Sequence, residues 1–280
     1  MSSSPVWSRL VRFIADDGIE YFVGLAVSDG QSVSVKVLDA KSALAEEAAF
    51  TGELKTINKL LSPLAASEVG TIRCIGLNYK DHATELGLSL PKMPEVFMKT
   101  ATCITGPNDT VFIPSIVTKV DPEVELAVLI GKDCKNVTVS EALDYVLGYT
   151  VANDITARCL QDQMLQWGYC KGFDGFCPLG PALVSAKAIP DPSKLSVKTV
   201  LDGVTMQQST TDNFIFSVAE IVSHLSKGTT LNKGTIILTG TPAGIGHGRN
   251  PPIYLNEEST LRIWISHGLG TLTNAVRWER

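Results

Sequence analysis

The run Asp121-Pro-Glu-Val-Glu-Leu-Ala-Val-Leu-Ile-Gly131 constrains this chain more than any other. It sets Glu123 and Glu125 at i and i+2 in front of a strongly apolar β-like segment. Side chains alternate faces along a strand, so the two carboxylates project from one face, about 7 Å apart. Like charges so placed repel, and burial makes the repulsion worse. A bound cation is the simplest way to tolerate them. A second apolar run, Gly148-Tyr-Thr-Val-Ala-Asn-Asp154, ends in another carboxylate. Glu123, Glu125 and Asp154 at strand ends read as an oxygen-ligand metal site. A solvated strand face is the plainer alternative for Glu-x-Glu alone.

With no histidine or thiol beside them, three carboxylates suit a hard cation: Mg²⁺ first, then Mn²⁺ or Ca²⁺. Such an ion keeps positions for two substrate oxygens. It can hold a 2-oxo acid or 1,3-dicarbonyl compound and stabilise its enolate as a Lewis acid.

Three further constellations carry chemistry. In Asn78-Tyr-Lys-Asp-His82-Ala-Thr-Glu85, Asp81 is positioned to cap a helix on which His82 and Glu85 are i, i+3 neighbours. A carboxylate beside an imidazole orients it and raises its basicity, which builds a general base; an ordinary surface pair is the alternative. Lys171 stands alone among aromatics, glycines and prolines, suited to a substrate carboxylate or a developing enolate, or else a snorkelling surface lysine. The turn Thr239-Gly-Thr-Pro-Ala-Gly-Ile-Gly246-His-Gly248 offers backbone N–H groups, that of Gly240 among them, and the Thr241 hydroxyl to an anion. Gly244, Gly246 and Gly248 do not match the dinucleotide fingerprint, and no phosphate-loop lysine follows. A Gly-x-Ser-x-Gly elbow is absent, so a serine nucleophile is unsupported. His224, His247 and His267 receive no role.

The rest of the chain bounds the setting. Its 280 residues allow one large domain, or a small and a large one. A net charge of −5 without a dense Lys/Arg patch argues against nucleic acid and anionic membranes as partners. No apolar stretch reaches the roughly 20 residues that span a bilayer. The first residues lack a signal-peptide core, and Asp16 and Asp17 weaken a transit-peptide reading. Six cysteines without a CxxC pair read as reduced thiols, hence a cytoplasmic setting, with a mitochondrial one left open.

Short β-branched or aromatic runs over residues 7–40, separated by Asp-Asp-Gly and Ser-Asp-Gly turns, predict strands. Residues 41–60 read as helical, and residues 62–70 as a linker. A small N-terminal β-rich domain over 1–68 and a larger domain over 69–280 follow. Strand-like runs dominate the second part; its helical candidates are 140–146, 156–167 and 217–226. Strands and helices do not alternate regularly, so the expectation is a mainly β (α+β) fold with peripheral helices.

The order of these blocks resembles the fumarylacetoacetate hydrolase family, including its acylpyruvase-like members, over about residues 70–276. Gly76-Leu-Asn-Tyr-Lys-Asp-His82, Asp121 to Lys132, Gly148 to Arg158, Phe176-Cys-Pro-Leu-Gly-Pro181, Leu238 to Gly246 and Gly268 to Asn274 carry the resemblance. It implies a distorted β-roll and a homodimer. It implies Mg²⁺ or Mn²⁺ on Glu123, Glu125 and Asp154, and a His82–Glu85 pair on a lid helix that orders over substrate. It also implies substrate contacts from Lys171, Gln161 and Thr241.

Members cleave C–C bonds in acylpyruvates and other diketo acids, decarboxylate oxaloacetate, or tautomerise and isomerise related oxo acids. The reading is a metal-dependent C–C hydrolase or decarboxylase acting on a small anionic oxo acid. A tautomerase, a specialised biosynthetic enzyme and a catalytically silent binding protein are the alternatives. The chain departs from the family pattern at Pro122, Cys159, Gly172, Gly175 and Thr235. The two glycines, standing where Ser and Thr are common, predict a wider pocket near Lys171.

Overall fold

The structure, a computed structural model, describes residues 5–26, 35–45 and 48–280. Its centre is the strand Val124–Ile130, buried along its whole length. Val146–Asn153 pairs antiparallel on one side and Ile236–Leu238 on the other. Both faces are covered as well, which is why the run is apolar without interruption. Val124, Leu126, Val128 and Ile130 enter one core cluster, while Ala127 and Leu129 enter a second. By the same alternation Glu123 and Glu125 continue the Ala127 face beyond the apolar run.

Among the described residues, eleven strands form the sheet around this centre. Ile72–Ile75 joins Ile236–Leu238 in parallel and carries Val96–Lys99 at the edge. In the other direction Cys177–Ser185 follows Val146–Asn153. A five-stranded sheet of Thr110–Ile113, Ser196–Leu201, Val204–Thr210, Thr260–Ile265 and Gly270–Trp278 packs across the first core cluster. Three α-helices occur among the described residues: α1 (Lys80–Glu85), α2 (Arg158–Gln161) and α3 (Val218–Ser226). The mainly β expectation with peripheral helices holds.

Several elements differ from the sequence reading. The helix expected over 41–60 does not form in its described part: Phe50 bridges Leu38, and Ile57–Leu61 is a strand paired with Trp7–Ala15. Strand partners there override a helical pattern. The helix expected over 156–167 shrinks to α2, because Thr156–Ala157 pairs with Val120–Asp121. Cys177–Ser185 was hidden in the sequence by Pro178, Gly180 and Pro181, yet it is a nine-residue strand. Residues 33 and 34 and the Ser28-Asp29-Gly30 turn lie outside the described residues.

The first four strands, Trp7–Ala15, Glu20–Ala26, Val35–Leu38 and Ile57–Leu61, extend the large sheet. Trp7–Ala15 pairs with Cys177–Ser185 through Arg9–Val184 and Leu10–Leu183. Trp7, Leu10, Phe22 and Leu38 share a core cluster with Ile72, Leu129 and Leu179. Phe13, Ala15, Val23 and Val37 make a small cluster of their own.

Candidate active site

The strand ends converge on a cavity of about 610 Å³ whose wall includes His82, Glu123, Arg158, Gln161, Lys171 and Thr241. Val124 lies opposite Asn153 in the sheet, so Glu123 meets Asp154 across it, and the Asp154 N–H donates to the Glu123 carbonyl at 2.9 Å. Glu123, Glu125 and Asp154 are buried, and each brings a carboxylate oxygen within 4.8 Å of the others. Oxygens around one octahedral ion stand about 3–4 Å apart, so this all-oxygen set fits a hard divalent cation.

Cations surround two of the three acids. Lys171 Nζ donates to Glu123 Oε2 at 2.8 Å and to Asp154 Oδ2 at 2.7 Å. Lys99 Nζ donates to Asp154 Oδ1 at 2.6 Å and to the Phe176 carbonyl at 2.7 Å. Arg158 donates to Glu123 Oε1 at 2.5 Å and, through Nε and a terminal nitrogen, to Asp121 Oδ2 at 3.0 and 2.9 Å. Burial alone pushes the Glu123 carboxyl up, but Lys171 and Arg158 outweigh it and hold it at about 2. Glu125 pairs with no cation among the described residues. Burial first, then Asp154 and Glu123, push its carboxyl well above the usual range.

With these residues ionised, four buried carboxylates (Asp121, Glu123, Glu125, Asp154) face three buried cations (Lys99, Arg158, Lys171). A dication turns that deficit of one charge into a surplus of one, which suits an anionic substrate.

His82 lies on α1, buried, with Nδ1 2.8 Å from Glu85 Oε2. A carboxylate only accepts, so Nδ1 carries the hydrogen and Nε2 is the basic nitrogen. The Gly244 N–H fixes Glu85 in turn, donating to its other oxygen at 2.8 Å. Asp81 does not cap α1. The N-cap is Tyr79, and Asp81 sits in the first turn, accepting from the His82 N–H and from the Ser209 hydroxyl.

The substrate-binding candidates divide. Gln161 must turn its amide oxygen to Arg158, which only donates, and this leaves its NH₂ for a ligand. Thr241 lines the cavity, but its hydroxyl hydrogen is committed to the Val124 carbonyl, and its oxygen also accepts from Gln207. The N–H of Gly240, expected to face an anion, donates instead to Glu125 Oε2 at 2.6 Å. Gly240 therefore positions a carboxylate of the candidate metal set.

The sequence reading missed Lys99, Arg158, Asp121 and Gln207 as parts of the site. Asp121 gathers the Gly246 and His247 N–H groups as well as Arg158. Arg158 and Asp121 were visible inside the quoted blocks, but their pairing spans 37 residues. Lys99 lies in a strand outside those blocks.

Residues 71–277 match the family model described as "Fumarylacetoacetate (FAA) hydrolase C-terminal". The chain belongs to the fumarylacetoacetate hydrolase family. It is 40% identical, over 99% of its length and 96% of the relative's, to "Caffeoylpyruvate hydrolase" of Neonothopanus nambi. It is 38% identical to "Oxaloacetate tautomerase fahd2, mitochondrial" of Xenopus laevis, over 99% and 92% of the two chains. Among solved structures it matches 5-carboxymethyl-2-hydroxymuconate delta-isomerase from Mycobacterium smegmatis with a TM-score of 0.81. That match has 34% identity and covers 97% of this chain and 100% of the other.

Two departures from the family pattern have backbone reasons and do not widen the pocket. A Cβ at Gly172 would lie 2.2 Å from the Gly168 carbonyl oxygen, and Gly175 sits at φ +73°. Neither lines the cavity. Cys159 Sγ accepts the Thr118 N–H at 3.2 Å.

Proposed function

We propose that this fumarylacetoacetate hydrolase family member is a divalent-metal-dependent enzyme that hydrolyses the C–C bond of acylpyruvates, releasing a carboxylate and pyruvate. One observation carries the reading: His82, with Nδ1 held by Glu85, shares a cavity wall with Glu123, Lys171 and Arg158. Glu123, Glu125 and Asp154 would hold the cation, Mg²⁺ first and Mn²⁺ or Ca²⁺ as alternatives. When bound it supplies Lewis acidity toward the substrate's oxo groups.

Arg158, the NH₂ of Gln161 and the remaining donor of Lys171 orient the substrate carboxylate and its neighbouring oxo group. His82 Nε2 takes a proton from water, and the hydroxide adds to the distal carbonyl. The C–C bond then breaks, and its electron pair leaves on the pyruvate carbon. Lys171 and Arg158 face that negative charge, and the proton held by His82 neutralises the carbon.

A second reading is tautomerisation of oxaloacetate, the activity for which the Xenopus relative is named. Decarboxylation of oxaloacetate is a third use of the same groups, with no attacking water. These differ in their need for a base toward water. Turnover of acetylpyruvate and of keto and enol oxaloacetate, measured with Mg²⁺ and with EDTA, separates them. His82→Ala lowers kcat/KM for acetylpyruvate by about 10²-fold or more; hydrolysis at the wild-type rate in that variant sinks the hydrolytic reading. Activity untouched by EDTA sinks the metal.

A homodimer and a cytoplasmic location complete the proposal. The free cysteines of the described residues support a reducing compartment, and the relative named as mitochondrial keeps that location in play. Among the described residues, no helix is long and apolar enough to cross a membrane.

A further inference from the structure

The cavity has two characters. Its reacting end carries His82, Glu123, Arg158, Gln161 and Lys171. Leu86, Leu88, Pro91, Trp167 and Ile245 make a second part of the wall apolar; Ser89, Thr241 and His247 also line the cavity, and Glu95 is its one carboxylate besides Glu123. A separate surface hollow of about 170 Å³ shares Glu95 and Trp167 with this cavity and adds Val96, Phe97, Leu165 and Gln166.

Trp167 is fixed where it stands. A Cβ at Gly76 would lie 2.6 Å from Trp167 Cζ3, so the glycine makes the room that the indole fills. Phe97 meets the indole edge-on, with centroids 5.7 Å apart at 68°. The Lys171 ammonium lies 5.0 Å from the centre of the same Phe97 ring. Phe97 thus places the indole next to the reacting end. A rigid aromatic wall beside a polar end is built to take a flat apolar group.

We propose that this wall is the acyl subsite, with Trp167 as its platform and Glu95 as its filter. It takes planar, uncharged acyl groups, aryl ones above all, and rejects a second carboxylate. The inference rests on the acylpyruvate reading and names the acyl class within it. The cations that line the cavity, Lys171 and Arg158, are paired with Glu123, Asp154 and Asp121 at the reacting end. Glu95 is exposed, so its charge opposes a distal carboxylate through solvent rather than by desolvation, with neither Lys171 nor Arg158 free to offset it.

The test compares benzoylpyruvate, acetylpyruvate and fumarylpyruvate with the metal-loaded full chain. The expected kcat/KM for benzoylpyruvate exceeds that for acetylpyruvate by about tenfold or more, with fumarylpyruvate lowest. Trp167→Leu narrows the benzoyl-to-acetyl ratio, and Glu95→Gln raises fumarylpyruvate relative to benzoylpyruvate. Leu88 is 53% exposed, so Leu88→Asp tests the wall at a position where folding is little burdened; it too narrows the benzoyl-to-acetyl ratio. Fumarylpyruvate preferred by the wild type, or ratios unmoved in all three variants, overturns the subsite. If no acylpyruvate is cleaved, the hydrolase reading fails, and the subsite is then judged by calorimetric dissociation constants of the same compounds. Tighter binding of benzoylpyruvate, weakened by Leu88→Asp, upholds it; equal binding of all three overturns it.

Discussion

At the residue scale, the candidate chemical groups and the groups that hold them in place were unequally visible. Glu123, Glu125 and Asp154 were legible because charges beside an apolar run need an explanation, His82 because Glu85 stands three residues on, and Lys171 because it is a lone cation among aromatics, glycines and prolines. Asp121 opened the same run as Glu123 and drew no explanation, since its partners lie 37 and 125 residues away. It accepts from Arg158 twice and from the Gly246 and His247 N–H groups, and it is fully buried. Asp121→Asn keeps the shape but removes the charge facing Arg158 and turns a donor toward groups that only donate. Breaking one side of a buried pair costs about 3–5 kcal/mol. Urea unfolding of the variant should show a loss of that size, with weaker substrate binding as Arg158 loosens. An unchanged unfolding midpoint removes Asp121 as the anchor of the site.

At the element scale, the sequence spoke where local pattern and tertiary need agree. Val124–Ile130 is apolar because both its faces are covered. Helix α3, expected over 217–226, forms with a capping box at its start: Ser217 Oγ accepts the Glu220 N–H, and Glu220 Oε2 accepts the Ser217 N–H at 2.7 Å. The helix expected over 41–60 failed because Ile57–Leu61 has a strand waiting for it in Trp7–Ala15, which no local pattern reports. The start of α3 also touches the site. Asn78, in the block that carries His82, donates to the Phe216 carbonyl and accepts the Phe216 N–H at 2.8 Å. Ser217→Ala removes the cap and should cost about 1 kcal/mol, a drop of about 2–4 °C in Tm for a chain of this size. Ser217→Thr should restore most of it. Equal melting of the Ala variant and the wild type rules out the cap as a source of stability.

At the scale of the whole molecule, the family and the acidic triad were readable from the order of the blocks, whereas the charge balance of the interior was not. That balance needs the partners of each buried ion, and Lys99 and Arg158 enter only through the fold. It makes stability depend on both pH and cation. Lys171 and Arg158 hold the Glu123 carboxyl at about 2, below its ordinary 4.5. Its contribution is therefore present above pH 4.5 and is lost as pH falls toward 2. Glu125 has the opposite sign. Burial beside Asp154 and Glu123 raises its carboxyl well above 4.5, so the folded state binds a proton that the unfolded chain gives up. The metal-free protein accordingly loses stability as pH rises above 4.5 through the folded range of Glu125. A divalent cation on the triad favours the ionised form and removes that penalty, releasing a proton where Glu125 still holds one. The difference in Tm between Mg²⁺-loaded and EDTA-treated protein should then widen as pH is raised from 5. Calorimetry of Mg²⁺ binding near that pH should report proton release that depends on the buffer's ionisation enthalpy. A Tm difference that stays flat as pH is raised, or is greatest at pH 5, contradicts a buried, proton-competing Glu125 as a ligand and returns the third carboxylate to a purely structural role.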